Sequence, residues 1–180
     1  MQVLGLSGSL RAGSHNAKLL RAAGDLLPAE AELVVFDGLK QLPAYDEDDE
    51  PHRPASVQAL FDAVAGADAV LVATPEYNHS LPGQLKNALD WLSRPLAESP
   101  LRNKPAAVVG ASTGLFGAVW AQAEARKVLS AIGARVLDRE LPVGLADDAF
   151  TSEGTLADAD LELTLMGILA ELGAEAKVPA

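Results

Sequence analysis

Two stretches of this sequence are apolar without interruption: Ala69-Val70-Leu71-Val72-Ala73, inside Asp68–Thr74, and the run Pro105–Ser112. A strand with one wet face alternates polar and apolar residues. An unbroken run needs cover on both faces, as in the middle of a parallel sheet. Parallel neighbours also need long crossovers, ordinarily helices. The sequence supplies them. Ser14 to Leu27 predicts a helix, with Ser14 as N-cap, Ala17, Leu20, Ala23 and Leu27 at helical spacing, and Pro28 ending it. Pro54 to Ala65 places Val57, Leu60, Phe61 and Val64 on one face, and Leu85, Leu89 and Leu92 mark a helix stopped by Pro95. Gly117 to Ile132 carries a stripe of Ala121, Ala125, Val128, Leu129 and Ile132, with Gly133 placed as its C-terminal glycine. Leu156 to Leu172 predicts the last helix, faced by Leu161, Leu165, Ile168, Leu169 and Leu172. Gln2–Ser7, Glu32–Phe36 and Ala134–Leu137 read as the remaining strands. Strand and helix alternate throughout, which predicts a doubly wound α/β fold with right-handed crossovers and helices on both sheet faces. We expect one domain over residues 1–180, long enough to bury a real core.

Composition narrows the function. The formal charge is −11, which argues against nucleic acid or an anionic membrane as partner, since both require a basic footprint. With no cysteine, disulfides, thiolate metal sites and thiol catalysis are excluded. His15, His52 and His79 lack zinc-ligand spacing, so no metal site is expected. No basic segment precedes an apolar core at the N-terminus, and no apolar run approaches the ~20 residues of a membrane span, so the expected location is the cytoplasm. Gly38 to Pro54 is irregular and holds the acidic run Asp46–Glu50. Adjacent acids repel and resist burial, so this stretch reads as a solvated loop.

Ligands of doubly wound folds bind beyond the carboxyl ends of the strands, near the switch point of the topology. Three loops leave that edge. The first, Gly8 to Asn16, offers Ser9, Arg11, Ser14 and Asn16 where a helix begins. Free N–H groups and the helix dipole attract anions there, so a phosphate fits. Gly8 and Gly13 have the glycine spacing of a P-loop, but Ser14 stands where its lysine belongs, and the G-x-G-x-x-G pattern also fails. The second loop, Thr74 to Gly83, carries Pro75, Glu76, Tyr77 and Asn78. Its prolines stiffen it, and Tyr77 can lie against a planar heterocycle. His79 alone is weak evidence for acid–base catalysis. The third, Ala111 to Gly117, places small residues, including Ser112 and Gly114, where a ligand can approach the backbone closely.

These segments resemble the NADPH-dependent FMN reductase family of the flavodoxin-like superfamily, which includes quinone, chromate and azo-dye reductases. The matching pieces are Gly8-Ser9-Leu10-Arg11 with Ser14 and Asn16, then Pro75 to Ser80 with Pro82-Gly83, Leu85 to Trp91, and Ser112-Thr113-Gly114. The resemblance runs from about Val3 to about Leu141. It implies a flavodoxin-like five-stranded parallel sheet of order 2-1-3-4-5 and a noncovalent FMN. By position, Ser9, Arg11, Ser14 and Asn16 would hold the phosphate. Pro75, Glu76, Tyr77 and Asn78 would line the flavin ring, with Ser112 and Gly114 near the ribityl chain and pyrimidine edge. NADPH or NADH would reduce the flavin and leave before an acceptor such as a quinone, free flavin, chromate or azo compound takes its place, a ping-pong cycle. No side-chain acid or base is required, because backbone N–H groups would stabilise the reduced flavin's charge. The resemblance also implies a homodimer or homotetramer. Where many relatives carry a second glycine and an arginine, this chain has Ala118 and Trp120. The alternatives are a flavodoxin-type electron carrier that does not oxidise NAD(P)H directly, and a flavin-free domain that binds another phosphate.

Overall fold

The strands that carry the unbroken apolar runs lie at the centre of the sheet. In this computed structural model, which describes residues 1–178, β3 (Ala69–Thr74) and β4 (Pro105–Ala111) are buried at every position. β1 (Gln2–Ser7) pairs in parallel with β3 on one side and with β2 (Glu32–Phe36) on the other. β5 (Arg135–Val136) pairs with the start of β4, so the order is 2-1-3-4-5, as the resemblance implies. A further two-residue strand, β6 (Pro142–Val143), pairs with Gly110 and Ala111 beyond the end of β5. So short a pairing leaves no pattern in the sequence.

Period-two alternation sends successive residues of the central strands to opposite cores. Leu4, Leu6, Val70, Val72, Ala106 and Val108 pack against α2 (Ala55–Gly66), α3 (Gly83–Leu92) and α4 (Val119–Ile132). Val3, Leu71, Ala73, Ala107 and Val109 pack against α1 (His15–Asp25) and α5 (Ala159–Glu175). Helices therefore cover both faces.

Several helix boundaries move for local reasons. α1 keeps Ser14 as its N-cap, whose Oγ accepts from the Ala17 N–H at 3.1 Å. α4 begins at Val119 rather than Gly117, because Gly117 and Ala118 have φ of +57° and +63° and cannot enter a right-handed helix. α5 begins after Asp158, whose carboxylate caps Asp160 and Leu161, while Leu156 is held in a bridge to Phe150. The irregular 38–54 stretch contains two short 3-10 turns, Gly38–Gln41 and Glu47–His52. Asn87 Nδ2 and the Trp91 indole N–H pin it to α3 through the Pro43 carbonyl. Its acidic run lies at the surface as expected, except that Glu50 accepts from the Tyr45 hydroxyl, which holds that phenol up to about 12. Among the described residues, no helix is long and apolar enough to cross a membrane.

Candidate functional site

The order 2-1-3-4-5 puts the switch point between β1 and β3, and the three polar loops leave the strands at that edge. β1 and β3 end close together. The Gly8 N–H donates to the Ala73 carbonyl at 2.8 Å, and a Cβ at Gly8 would sit 3.0–3.1 Å from Leu85 and Pro75. Only glycine lets the first loop cross there without moving the second.

A cleft of about 140 Å3 opens between the loops. Ser9, Arg11 and Asn16 line it from the first loop, Pro75, Glu76 and Tyr77 from the second, and Ser112 with Thr113 from the third. The structure thus brings together eight residues from three separated segments, all but Thr113 among the candidates. Ser14, Asn78 and Gly114 lie just outside the lining. Ser14 is buried as the helix cap, Asn78 forms the tip of its loop, and the Gly114 carbonyl accepts from the Leu145 N–H. His15, not among the sequence candidates, also lines the cleft. Its position between Ser14 and Asn16 was the available signal.

Each loop is held by bonds that sequence could not reveal. The Asn16 side-chain amide is used at both ends, donating to the Ala111 carbonyl and accepting from the Ala111 N–H, each at 2.9 Å. It fixes α1 to the end of β4. The main-chain N–H groups of His15 and Asn16, in the first turn of α1, have no intrahelical acceptor. Arg11 is exposed and makes no ion pair among the described residues. An unpaired guanidinium, two free amides and small hydroxyls converge here, a donor set suited to a phosphate.

In the second loop, Asn78 and His79 both take positive φ, and Tyr77 and Ser80 exchange backbone hydrogen bonds at 3.0 and 3.1 Å. This two-residue reversal presents the Tyr77 ring, 53% exposed, at the mouth of the cleft. Glu76 fixes the loop to α4, because its Oε2 accepts from the N–H groups of Trp120 and Ala121 at 3.1 and 3.2 Å. The helix has no local side-chain cap, so this carboxylate from another loop does that work. Replacing Glu76 with alanine is expected to cost about 0.5–2 kcal/mol in urea unfolding, the usual range for a lost cap. Glu76→Gln, which keeps an acceptor, should lose less. Beside the loop, Trp120 meets the His79 ring edge-on at 4.9 Å and Phe116 at 5.2 Å.

The third loop rests backbone to backbone on the end of β6 and the segment after it. The Ser112 N–H donates to Val143, while Ser112 and Gly114 accept from Ala146 and Leu145. A larger groove of about 340 Å3 lies at the opposite end of the sheet, around Met1, Leu27 and Met166. It is mainly apolar and far from the donors described above, so the smaller cleft is the functional candidate.

Fold and cleft together define a flavodoxin-like α/β protein with a cleft at the β1/β3 switch point whose donors and exposed ring suit a phosphate-bearing, planar ligand. Residues 1–148 match the family described as NADPH-dependent FMN reductase. The chain is 42% identical over 160 residues to an NAD(P)H-dependent FMN reductase of Pseudomonas aeruginosa, covering 88% of this chain and 85% of that one. It is 40% identical over 141 residues to a quinone reductase of Escherichia coli K12, covering 77% and 74%. Among solved structures, FerB, a flavoenzyme NAD(P)H:(acceptor) oxidoreductase from Paracoccus denitrificans, matches with a TM-score of 0.86 and 34% identity over 98% of this chain and 97% of that one. The chain belongs to the NADPH-dependent FMN reductase family and is an oxidoreductase of that family.

Proposed function

We propose that this protein, acting as one domain over residues 1–180, is an FMN-dependent NAD(P)H oxidoreductase that works by a ping-pong cycle. Its acceptors are planar or small oxidants such as a quinone, free flavin, chromate or azo compound. The observation that carries this reading is the pairing of an unpartnered Arg11 beside the N-terminus of α1 with the exposed Tyr77 face across one cleft. The first suits a phosphate and the second a flat ring. Bound FMN supplies the redox chemistry, taking reducing equivalents from NAD(P)H and yielding them to the acceptor.

The residues supply binding and shape. Arg11 and the Ser9 hydroxyl face the phosphate. Ser14 contributes its hydroxyl hydrogen, which the cap bond leaves free, and Asn16 contributes its main-chain N–H. Pro75 to Asn78 form the wall for the ring, held in place by the hydrogen bonds from the start of α4 to Glu76. Ser112 and Gly114 border the opposite side; their own N–H groups are taken by the Val143 carbonyl and the Ser112 hydroxyl, so other main-chain N–H groups of the loop would meet negative charge on the flavin. No side chain acts as acid or base. Leu115, Phe116 and Trp120, exposed beside the cleft, support a homodimer or homotetramer with the site near the interface.

Arg11→Ala tests the phosphate half of this reading. It is expected to weaken FMN binding by about 1.5–3 kcal/mol, the range for a hydrogen bond to a charged group, as measured by quenching of flavin fluorescence. Unchanged affinity would remove Arg11 from the site.

A further inference from the structure

Tyr77 lines the cleft, yet it is half exposed, so its ring is placed by its main chain more than by packing. That main chain is strained. Asn78 and His79 hold φ of +54° and +61°, a region that residues with a Cβ seldom take, and such backbone persists only where its surroundings fix it. One fixing point precedes the reversal: Glu76, which accepts from the first N–H groups of α4. A second follows it. Ser80, which exchanges main-chain hydrogen bonds with Tyr77, donates its hydroxyl to Glu124 Oε2 at 2.5 Å. That length is typical of a hydroxyl bonded to a carboxylate, a stronger contact than one between neutral groups. Glu124 belongs to α4 and stands about one turn beyond Trp120, so both fixing points lie on the same stretch of helix.

We propose that Glu124 is a positioning residue for the flavin ring, acting through Ser80 to hold the Tyr77 turn against α4. The proposal rests on the FMN reading above. The two carboxylates work in opposite directions across one seam. Glu76 reaches from the loop to the helix, and Glu124 from the helix to the loop. With one anchor before Tyr77 and one after it, the turn cannot slide along α4 or relax its strained residues. Glu124 itself does not line the cleft, so its effect on a ligand passes through Ser80 and Tyr77. The same helix holds the other side of the site. Gln122, two residues before Glu124, donates to the Gly117 carbonyl at the end of the third loop. α4 therefore spaces the second loop against the third, and Glu124 supplies the part of that spacing that sets the ring wall.

The test titrates the flavin-stripped full chain with FMN and with riboflavin, which has the same ring and no phosphate, and follows flavin fluorescence. Glu124→Ala removes the acceptor and keeps a strong helix former in α4. Ser80→Ala removes the donor. Each is expected to raise the FMN Kd about three- to tenfold, the effect of one lost hydrogen bond, and to raise the riboflavin Kd by the same factor. The double variant should lose no more than either single, because one bond is broken in all three. Glu124→Gln keeps an acceptor oxygen and should stay within about twofold of the unmodified protein. Arg11→Ala, by contrast, should weaken FMN and spare riboflavin. Unchanged flavin affinity in Glu124→Ala and Ser80→Ala, even with a lower Tm, would overturn the proposal and leave the contact purely structural. A loss confined to FMN, or a loss in Glu124→Gln as large as in Glu124→Ala, would overturn it as well. Failure of the unmodified protein to bind FMN at all would overturn the FMN reading, and this proposal with it.

Discussion

Replacing Gly117 with alanine is expected to destabilise the protein by about 2–5 kcal/mol, combining the cost of a strained backbone with that of overpacking. Gly117 sits at φ +57°, in the left-handed region that residues with a Cβ rarely adopt. Space is the harder constraint. A Cβ there would lie 2.3 Å from the Pro142 carbonyl carbon and 2.6 Å from both its oxygen and the Val143 nitrogen. Those atoms are main chain of β6 and cannot swing aside as a side-chain tip would. β6 is tied to the end of β4, so relief requires either the third loop or the sheet edge to shift. Urea unfolding measures the loss, and FMN affinity should fall with it because Ser112 and Gly114 move with the loop. A loss below 1 kcal/mol would show that this loop is not clamped as described.

Gln122→Leu is expected to cost about 2–4 kcal/mol, because two buried backbone groups lose their partners together. The Gln122 side chain is fully buried in α4. Its Nε2 donates to the Gly117 carbonyl at 2.9 Å and its Oε1 accepts from the Leu141 N–H at 3.0 Å. One amide thus fixes the start of α4, the end of the third loop and the approach to β6. Leucine has similar bulk and fills the space, so the loss reports the hydrogen bonds rather than a cavity. Gln122→Glu would not rescue stability, since it replaces the donor to Gly117 with an acceptor or a buried charge. Because Gly117 and Gln122 restrain the same turn, the double variant should lose less than the sum of the singles. Strict additivity in urea unfolding would contradict a shared role.

Both residues illustrate what the sequence concealed. The central strands were legible because burial on two faces demands unbroken apolar runs, as in 69–73 and 105–112. The helices were legible from their stripes, and the start of α1 from Ser14. The start of α4 was not, because a left-handed alanine at 118 carries no local signature and is imposed by packing against β6. The reversal at Asn78-His79 was equally hidden, since such turns usually announce themselves with glycine. The candidate ligand loops could be read from residue types and edge position. The partners that hold them could not. Asn16 bonds to Ala111, 95 residues away, and Glu76 to α4, 44 and 45 residues away. Pairings over such separations exist only once the sheet has formed. His15 reads in sequence as one more polar residue, and only the fold shows that one of its nitrogens lacks a partner.

An oxidoreductase of the proposed kind oxidises a nicotinamide nucleotide directly on its bound flavin. That oxidation is tested by following NADPH and NADH absorbance at steady state, with FMN-loaded protein and a quinone as acceptor. Repeated turnover is expected with at least one nucleotide, with parallel lines in double-reciprocal plots as the quinone concentration varies. FMN binding without turnover on either nucleotide would contradict it and leave the protein an electron carrier.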